Sequence, residues 1–390
     1  MTLVQAAARV GIAPATLRRW VAGGVIPQYH GSWTPAAIGQ ARVVARMRGR
    51  GHSLTEIRRA TEDGKLAFGF LQELFGSDER RYSIRRAARE TGLDEALIRR
   101  VIGGLGIPSE QRPTVSADDL ELLRYVATVL DSGFPLVALL QLVRVYGQAM
   151  SRVADAEVRL FHLYVHEPLM RSGATGIETA EQMEAISRQV LPLAGPVLER
   201  VHQRYLQFFV EQDVVGHMES DLDGSEIDLG RMRVAIAFAD LAGYTRLTEE
   251  AGELIAVDAV ERFLEAVQAS LPDEARVIKT IGDEAMIIGS DPAALAEWAV
   301  AFQRHQWTFP PPRIAVHAGV ALYRDGDYYG RDINIASRVA ATAAGGEVLV
   351  TTPVAELAGP RLGLAAVGDM RLEGLREPIE VFAAAWREGP

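Results

Sequence analysis

The stretch ARVIKTIGDEAMIIG, residues 275–289, decides the fold of the C-terminal half of this chain. Apolar and β-branched residues on both sides of Gly282-Asp283 predict two strands joined by a tight turn. Lys279 and Asp283 are opposite charges four residues apart, which is also the spacing of an ion pair on a helix surface. The β-branched VIKTI segment and the central glycine disfavour that helix. The hairpin therefore places the lysine in a strand and the aspartate at the turn.

A second predicted strand precedes the hairpin and ends on a carboxylate. RVAIAFAD (233–240) alternates as a strand does and ends at Asp240, and LAGYTRLTEEAG follows with the character of a helix start. If the hairpin lies beside this strand, Asp283 joins Asp240 at one end of a sheet. Two carboxylates leave open coordination that suits Mg²⁺ shared with a triphosphate. Backbone N–H groups at the turn into the helix suit phosphate, and the candidates are Leu241, Ala242, Gly243, Tyr244 and Thr245.

A third motif supplies an amide and a guanidinium on one helical face. In GDYYGRDINIASRVAATAAGGEVLVT (326–351) Gly330 breaks the chain, and Asp332 is predicted to cap the helix that follows. Asn334 and Arg338 then lie four residues apart on one face. This pair suits positioning a ribose and stabilising charge on a phosphorus during its transfer.

The bulk composition bounds the class of protein. The chain has 390 residues, a hydrophobic content of 48%, a net charge of −10 and no cysteine. The length predicts two or three packed domains. Absence of cysteine excludes disulfides, thiolate catalysis and cysteine-ligated zinc. No apolar run has the length of a membrane span and the N-terminus lacks a signal-peptide pattern, so we expect a cytoplasmic protein without a membrane partner.

The N-terminal half contains an internal repeat at an offset of 81 residues. AARVGIAPATLRRWVAGGVIP (7–27) matches AARETGLDEALIRRVIGGLGIP (87–108), with Gly11 on Gly92 and Ile26-Pro27 on Ile107-Pro108. After one inserted residue, RGHSLTEI (50–57) matches SGFPLVAL (132–139). Each copy predicts a helix, a turn, a helix, a short Pro-bearing wing and an amphipathic helix.

The first copy resembles the winged helix of the MerR family through Gly11, Thr16-Leu17-Arg18, Trp20 and Gly24-Val25-Ile26-Pro27. Residues 1–60 carry nine arginines and one glutamate, so the resemblance implies DNA binding there through phosphate contacts. The alternative is an interaction or dimerization module with solvated arginines. Residues 82–150 carry eight arginines and eight acids, a net charge of zero that would not attract duplex phosphates.

Residues 117–215 show helical periodicity, which predicts a bundle or a dimer interface. Breaks are predicted at Gly133–Pro135 and at RSGATG (171–176), and the acidic, aperiodic SDLDGSEIDLG (220–230) predicts a linker. His162 and His166 lie four residues apart beside Glu167. A metal site there would need another ligand, whereas His162, His166 or His202 could serve as a pH sensor.

The three C-terminal motifs, FADLAGYTRL, IKTIGDEAM and DYYGRDINIASRV, resemble in order and spacing the catalytic domain of class III nucleotidyl cyclases. The resemblance implies metal binding by Asp240 and Asp283, with two ions of Mg²⁺ or Mn²⁺ per site. It implies recognition of adenine by Lys279 and Asp327. Guanylate cyclases resemble this site with Glu and Cys at those two positions, so the substrate implied here is ATP.

In that family two catalytic domains pack head to tail with each active site between them. The resemblance therefore implies that one subunit supplies Asp240 and Asp283 while its partner supplies the adenine-binding residues and the transition-state pair, Asn334 and Arg338. Lys279 and Asp283 then serve opposite sites. One departure from the family lies in DMRLEGLREPIEVF (369–382), where Glu373 stands in place of a basic residue that assists the triphosphate. Arg371 and Arg376 are the candidates to replace it.

The predicted fold is α/β (α+β), a ferredoxin-like class III cyclase catalytic domain preceded by an all-α regulatory half with two winged-helix-like repeats. The predicted domains are a MerR-like winged helix-turn-helix (1–75), a second winged-helix-like repeat with a helical bundle for regulation or dimerization (82–216), a linker (217–231) and the catalytic domain (232–387).

The predicted function is synthesis of 3′,5′-cyclic AMP and pyrophosphate from ATP by two-metal-ion in-line attack in a homodimer. We expect the helical half to regulate it in response to pH, an apolar ligand or a protein partner. The alternative is a MerR-like DNA-binding regulator whose cyclase-like domain senses nucleotide. The set of six catalytic positions favours the enzyme, since a sensor has no need to keep them.

Overall fold

The computed structural model describes residues 1–26, 33, 35–62, 80–106, 114–172, 176–223, 230–304 and 310–387. The chain divides into two compact units, Met1–Tyr205 and Leu206–Pro390, and each is described by itself. Across the described ranges, no helix is both long and apolar enough to cross a lipid bilayer.

The first unit is helical. A short antiparallel ribbon joins β1 (Arg81–Ser83) to β2 (Thr114–Ser116), and a π-helix (His162–His166) separates two of the helices. The helices are α1 (Leu3–Val10), α2 (Pro14–Ala22), α3 (Pro35–Gly49), α4 (Leu54–Glu62), α5 (Ile84–Thr91), α6 (Glu95–Leu105), α7 (Ala117–Asp131), α8 (Leu136–Phe161), α9 (Glu167–Arg171) and α10 (Gly176–Asp223), the last of which continues into the second unit.

Helices and buried positions of the first unit recur at the offset of the internal repeat. Helices α5 and α6 begin 81 residues after α1 and α2, and α7 and α8 begin 82 residues after α3 and α4. Buried positions coincide at the same offsets: Leu17 corresponds to Ile98, and Ile57 to Leu139. Each copy therefore closes a small core of its own. The predicted Pro-bearing wings include residues 27–32 and 107–113, which lie outside the described residues.

The helix breaks fall where the sequence predicted them, but part of the predicted linker is helical. Helix α7 ends before Gly133 and α8 begins after Pro135, and α9 ends at Arg171. Helix α10 continues to Asp223, so residues 217–223 of the predicted linker are helix. The reason is that HMESDLD, residues 217–223, contains neither proline nor glycine to end it. Residues 224–229 lie outside the described residues.

The second unit is built on a mixed sheet with the strand order β4-β5-β3-β6-β8-β10-β9, and β7 pairs with β6. All described neighbours are antiparallel except β6 and β8. The strands are β3 (Arg231–Leu241), β4 (Ala275–Ile281), β5 (Glu284–Gly289), β6 (Pro312–Arg324), β7 (Asp327–Tyr329), β8 (Val348–Thr351), β9 (Leu362–Met370) and β10 (Ile379–Trp386). The helices are α11 (Tyr244–Ala251), α12 (Glu253–Ser270), α13 (Pro292–Gln303), α14 (Arg331–Thr342) and α15 (Thr352–Ala355).

The central strand β3 is buried on both faces from Val234 to Leu241, which explains its apolar run. Odd-numbered alanines of β3, such as Ala237, face a core shared with Phe263 of α12 and Trp298 of α13. Even-numbered residues, such as Phe238, face a core shared with Ile335 of α14. Because side chains alternate along a strand, Asp240 lies on the α14 side of the sheet. The mixed α/β sheet and the predicted hairpin are thus confirmed.

Candidate functional site

The acidic end of the central strand is defined by strand register. Asp240 lies opposite Glu284 on β5 and opposite Arg313 on β6. The Arg313 guanidinium donates to Asp240 Oδ2 through Nε at 2.7 Å and through a second nitrogen, and its Nη1 donates to the carbonyl of Ala341 at 3.1 Å. Asp283 joins this end from the turn between β4 and β5, as the sequence predicted. Arg313 was missed by sequence reasoning, which did not pair β3 with β6.

Electrostatics at this end favour a bound cation. Burial, and then the charge of Asp240, raise the pKa of Asp283 to about 6. Burial also raises the pKa of Glu284, and again the charge of Asp240 adds to the effect. Carboxylates that repel one another at partly buried positions are relieved by a divalent cation. Asp240 and Asp283 therefore fit the predicted metal, although no group of three or more metal-ligating side chains occurs among the described residues.

The raised pKa of Asp283 predicts an inverted pH dependence of stability in the metal-free protein. Between its ordinary value of 3.8 and about 6 the folded state binds more protons than the unfolded state. Stability therefore falls as pH rises through that window. We expect Asp283→Asn to reduce this fall in thermal unfolding followed from pH 4 to 7 in a chelator, and the raised pKa of Glu284 to account for the remainder. Mg²⁺ should restabilise the wild type above pH 6, since binding requires ionised carboxylates. If the stability of the wild type and of Asp283→Asn changed with pH in parallel, the raised pKa of Asp283 would be contradicted.

Lys279 and Asp327 are brought together although they lie in different strands. Lys279 Nζ donates to Asp327 Oδ2 at 2.5 Å, and the side chains are 34% and 23% exposed. The other oxygen of Asp327 accepts from the N–H of Tyr328 at 2.8 Å. A partly exposed ammonium beside a carboxylate offers one donor and one acceptor to a planar ring with a complementary edge.

Asn334 and Arg338 share one face of α14, as predicted, and open onto a pocket of ≈ 440 Å³. Three arginines reach it, and its lining residues are Arg331, Asn334, Arg338, Gly374, Leu375, Arg376 and Glu377. Arg376, rather than Arg371, is therefore the arginine of the β9–β10 loop that faces the same space as Arg338. This cationic pocket suits a polyanion.

Gly374 lies directly under the Arg338 guanidinium. It has φ +73°, and a Cβ placed there would lie 3.2 Å from Arg338 Nη1 and 3.3 Å from Nη2. The backbone conformation favours glycine, and a Cβ at this position would push the guanidinium by a few tenths of an ångström. The β9–β10 loop thus packs against the arginine, and sequence reasoning had considered this loop only for its charges.

The start of α14 differs from the prediction that Asp332 caps the helix. The N-cap is Gly330, and no side-chain capping bond is made. The Asp332 carboxylate instead accepts from the N–H of Val320 on β6 at 2.7 Å. A Cβ on Gly319 would overlap the Asp332 carboxylate, so this contact needs glycine on the strand. This hydrogen bond attaches the N-terminal end of α14 to the sheet. The Asp332 side chain makes this tertiary contact instead of a local capping bond.

A buried histidine, His317, lies beside the contact between Asp332 and β6. His317 Nδ1 lies 2.7 Å from the hydroxyl of Thr351, and its Nε2 lies 3.6 Å from Asp332 Oδ1. Burial lowers the pKa of His317, with the Asp332 carboxylate opposing that effect. The imidazole is therefore neutral near pH 7. It packs beside Asp332, at the start of the helix that carries Asn334 and Arg338. Sequence reasoning did not single out His317 or Gly319.

Two residues of the predicted phosphate-binding turn, Leu241 and Ala242, make contacts within the fold itself. Leu241 is buried in the core, and the N–H of Ala242 donates to the carbonyl of Pro311 at 3.0 Å. Helix α11 begins at Tyr244 with Gly243 as its N-cap. The N–H groups that remain for the phosphate prediction are those of Gly243, Tyr244 and Thr245.

The histidine pair of the first unit forms a contact in the π-helix. The Nδ1 atoms of His162 and His166 lie 3.1 Å apart, His166 is buried, and Glu167 lies 3.9 Å from His162 Nε2. At this distance one imidazole nitrogen donates a hydrogen bond to the other. A three-ligand metal cluster is absent from the described part of the chain. His202 is exposed on α10.

Comparisons with known proteins relate this chain to adenylate cyclases. Residues 31–207 match the family described as "Adenylate cyclase regulatory domain". A pH-sensitive adenylate cyclase of Mycobacterium tuberculosis is 29% identical over 80% of this chain and 80% of that protein. An adenylate cyclase of Streptomyces coelicolor is 30% identical over 73% of this chain and 74% of that protein.

Among solved structures, the chain is similar to the adenylyl cyclase CyaB from P. aeruginosa, with a TM-score of 0.38 and 21% sequence identity. The match covers 40% of this chain and 96% of that one.

Proposed function

This chain belongs to the adenylate cyclase family and is an adenylate cyclase, and we propose that it acts as a class III homodimer with active sites shared between two copies. The proposed reaction is attack of the ribose 3′-oxygen of ATP on the α-phosphorus, giving 3′,5′-cyclic AMP and pyrophosphate. The proposal rests on three residue pairs that the fold assembles separately: Asp240 with Asp283, Lys279 with Asp327, and Asn334 with Arg338. In each site, one copy contributes the first pair and its partner the other two.

Asp240 and Asp283 are proposed to hold the divalent cations, Mg²⁺ or Mn²⁺ at two ions per site. When bound there, such ions neutralise the triphosphate and lower the pKa of the 3′-hydroxyl. To hold them, Asp240 would have to give up its bond to Arg313. The freed guanidinium lies at the same end of the sheet and can then contact phosphate oxygens.

Lys279 and Asp327 are proposed to recognise the adenine edge. The ammonium donates to ring N1, and the carboxylate accepts from the exocyclic amine. Guanine carries a protonated N1 and a carbonyl at those two positions. It would therefore leave both partners unpaired, which accounts for a preference for ATP over GTP.

Asn334 and Arg338 are proposed to act on the reacting centre. Asn334 orients the ribose, and Arg338 stabilises the charge that develops on the α-phosphoryl oxygens. Arg376, in the same pocket, is proposed to bind the distal phosphates in place of the basic residue replaced by Glu373. The turn at Gly243, Tyr244 and Thr245 is proposed as a further phosphate contact.

Replacing Gly374 by alanine is expected to lower kcat by about 10-fold, because a Cβ there displaces the Arg338 guanidinium from its working position. Gly368→Ala is the matched control. Gly368 has φ +110° and nothing within 4 Å of a built Cβ, so it strains the backbone without touching Arg338. Steady-state kinetics of both variants, each with a thermal unfolding curve, make the comparison. Equal losses of kcat in both would contradict the contact's role.

The helical half is proposed to regulate and to pair the subunits. The family match to a regulatory domain over residues 31–207 supports regulation. Exposed apolar residues recur at intervals of three or four along α10, namely Val190, Leu193, Val197, Val201 and Tyr205. Such a stripe suits a second copy of the same helix. This proposal includes the interpretation of the two repeats as winged helices, with the first of them MerR-like. It also includes control by pH, an apolar ligand or a protein partner.

An activity assay tests the proposed function. Purified full-length protein is incubated with ATP or GTP and with Mg²⁺ or Mn²⁺ across pH 5 to 8. Cyclic nucleotide and pyrophosphate are then measured in parallel. Equal amounts of 3′,5′-cyclic AMP and pyrophosphate from ATP, with little product from GTP, are expected. Nucleotide binding without turnover, together with salt-dependent binding to duplex DNA, would instead favour the DNA-binding regulator.

A further inference from the structure

We infer that Arg276 is a positioning residue for the base-recognition pair, and that it links this pair to the C-terminal end of α10. The inference rests on the proposed roles of Lys279 and Asp327. It adds a residue that touches neither substrate nor the reacting atoms but fixes the distance between the two strands that carry the pair.

A β-bulge places Arg276 and Lys279 on the same side of β4. Residues three apart in a regular strand face opposite sides. Here the register shifts between Val277 and Lys279, so that Arg276 lies opposite Ile288 and Lys279 lies opposite Met286. Both partners have even numbers on β5 and pack in the core on the α14 side. The bulge thus brings the arginine and the lysine to one face.

Two polar bridges therefore join β4 to β7. Lys279 pairs with Asp327, and Arg276 Nη2 donates to the hydroxyl of Tyr328 at 2.8 Å. Tyr328 is 3% exposed and its ring packs edge-on against Tyr323, with centroids 5.1 Å apart. The two acceptors are adjacent residues of a three-residue strand. That strand pairs with β6 and has little backbone structure of its own to fix it against β4.

The Arg276–Tyr328 bridge has a separate role, because the Lys279–Asp327 ion pair must break when the base binds. When Lys279 and Asp327 turn to an adenine edge, their mutual ion pair is replaced by contacts to the base. The Arg276–Tyr328 bridge does not involve the base and stays intact. It keeps β7 at the distance from β4 that lets one base reach both side chains. Loss of this bridge would leave β7 free to drift, which weakens binding and discrimination without altering the reacting centre.

The same guanidinium contacts the long helix. Arg276 Cζ lies 5.1 Å from the centroid of the Phe209 ring on α10 and 6.0 Å from that of Tyr328. Both distances are in the range of cation–π attraction. Phe209 belongs to the part of α10 that lies in the second unit. A displacement of this helix end therefore acts on Arg276 and, through Tyr328, on Asp327.

The test measures KM, kcat and the ratio of kcat/KM for ATP over GTP in the full-length chain. Arg276→Ala is expected to raise KM for ATP about 10-fold, the loss of one charge-assisted hydrogen bond, with a smaller change in kcat. Its preference for ATP should fall. Tyr328→Phe removes a single hydroxyl and should give the same pattern with an unchanged fold. Arg276→Lys keeps a donor and should recover part of the loss. Arg233→Ala, which removes an exposed arginine from β3, is the control.

A double-mutant cycle tests the link to the helix. Phe209→Ala should raise KM in the wild type and have no further effect in Arg276→Ala. Additive effects would overturn the link. Unchanged KM and nucleotide preference in both Arg276→Ala and Tyr328→Phe would overturn the positioning role. The Lys279→Ala variant distinguishes failure of this inference from failure of the proposed function. If Lys279→Ala also leaves the nucleotide preference unchanged, the assignment of Lys279 and Asp327 to base recognition fails. If it relaxes the preference while Arg276→Ala does not, only the present inference fails.

Discussion

Replacing Asp240 by alanine is expected to lower kcat more than about 10³-fold, because one carboxylate of only two proposed ligands is lost and the cations lose their anchor. Steady-state cyclic AMP synthesis at saturating Mn²⁺ and ATP measures the effect. The structure adds a second consequence. Arg313, whose guanidinium donates to Asp240, loses that partner and adds an unbalanced positive charge. Titration of the variant with Mn²⁺ should accordingly show weaker binding than the wild type at every concentration.

The matched control for this variant is Asp258→Ala. Asp258 is an exposed carboxylate on α12 that pairs with Arg262 at 3.0 Å. Its replacement changes net charge by the same amount at a surface ion pair of small energetic value. We expect near wild-type kcat. Thermal unfolding of both variants reports whether the fold is kept. A folded Asp240→Ala protein with more than about a tenth of wild-type kcat would exclude this residue as a metal ligand.

Replacing Arg338 by alanine is expected to lower kcat about 10²- to 10³-fold with a smaller change in KM, because its interaction strengthens as charge develops in the transition state. Arg338→Lys should recover only part of the loss, since an ammonium cannot reproduce two parallel guanidinium contacts. Arg262→Ala removes an exposed arginine and serves as the control. A fall in kcat/KM caused by KM alone would assign Arg338 to ground-state binding.

Mixing two inactive variants tests the shared site directly. In a heterodimer of Asp240→Ala and Arg338→Ala chains, one site carries both changes and the other carries neither. Random pairing should restore about a quarter of wild-type activity, because half of the dimers are mixed and each has one intact site. Mixed dimers demonstrated by differently tagged chains but lacking activity would contradict the assignment of the pairs to opposite subunits.

Local sequence pattern was sufficient for the elements that carry the candidate residues. The turn at Gly282-Asp283, the strand ending beside Asp240 and the four-residue spacing of Asn334 and Arg338 are all as predicted. These features depend on side-chain alternation, turn chemistry and helical period, which act over a few residues. The internal repeat was also readable, since equivalent core positions keep apolar residues.

Contacts between distant segments were not readable from the sequence. Asp332 has the residue type of a helix cap, yet it bonds to β6, because seating α14 on the sheet satisfies a strand N–H. The predicted linker begins as helix, because composition alone did not distinguish an acidic loop from an acidic helix end. Arg313 lies 73 residues from Asp240, and only strand pairing makes them neighbours.

The sequence by itself determined which residue types stand at the ends of strands and on one helical face. Short-range periodicity predicted where these side chains point along their own elements, and the resemblance of the three motifs to class III cyclases predicted the chemistry. Tertiary structure decided which of those side chains meet. A register shift in β4 puts Arg276 on the same face as Lys279, and Gly374 lets the β9–β10 loop approach Arg338 closely. The physical reason is that register and close approach are set by packing between segments, whose energies no single segment contains.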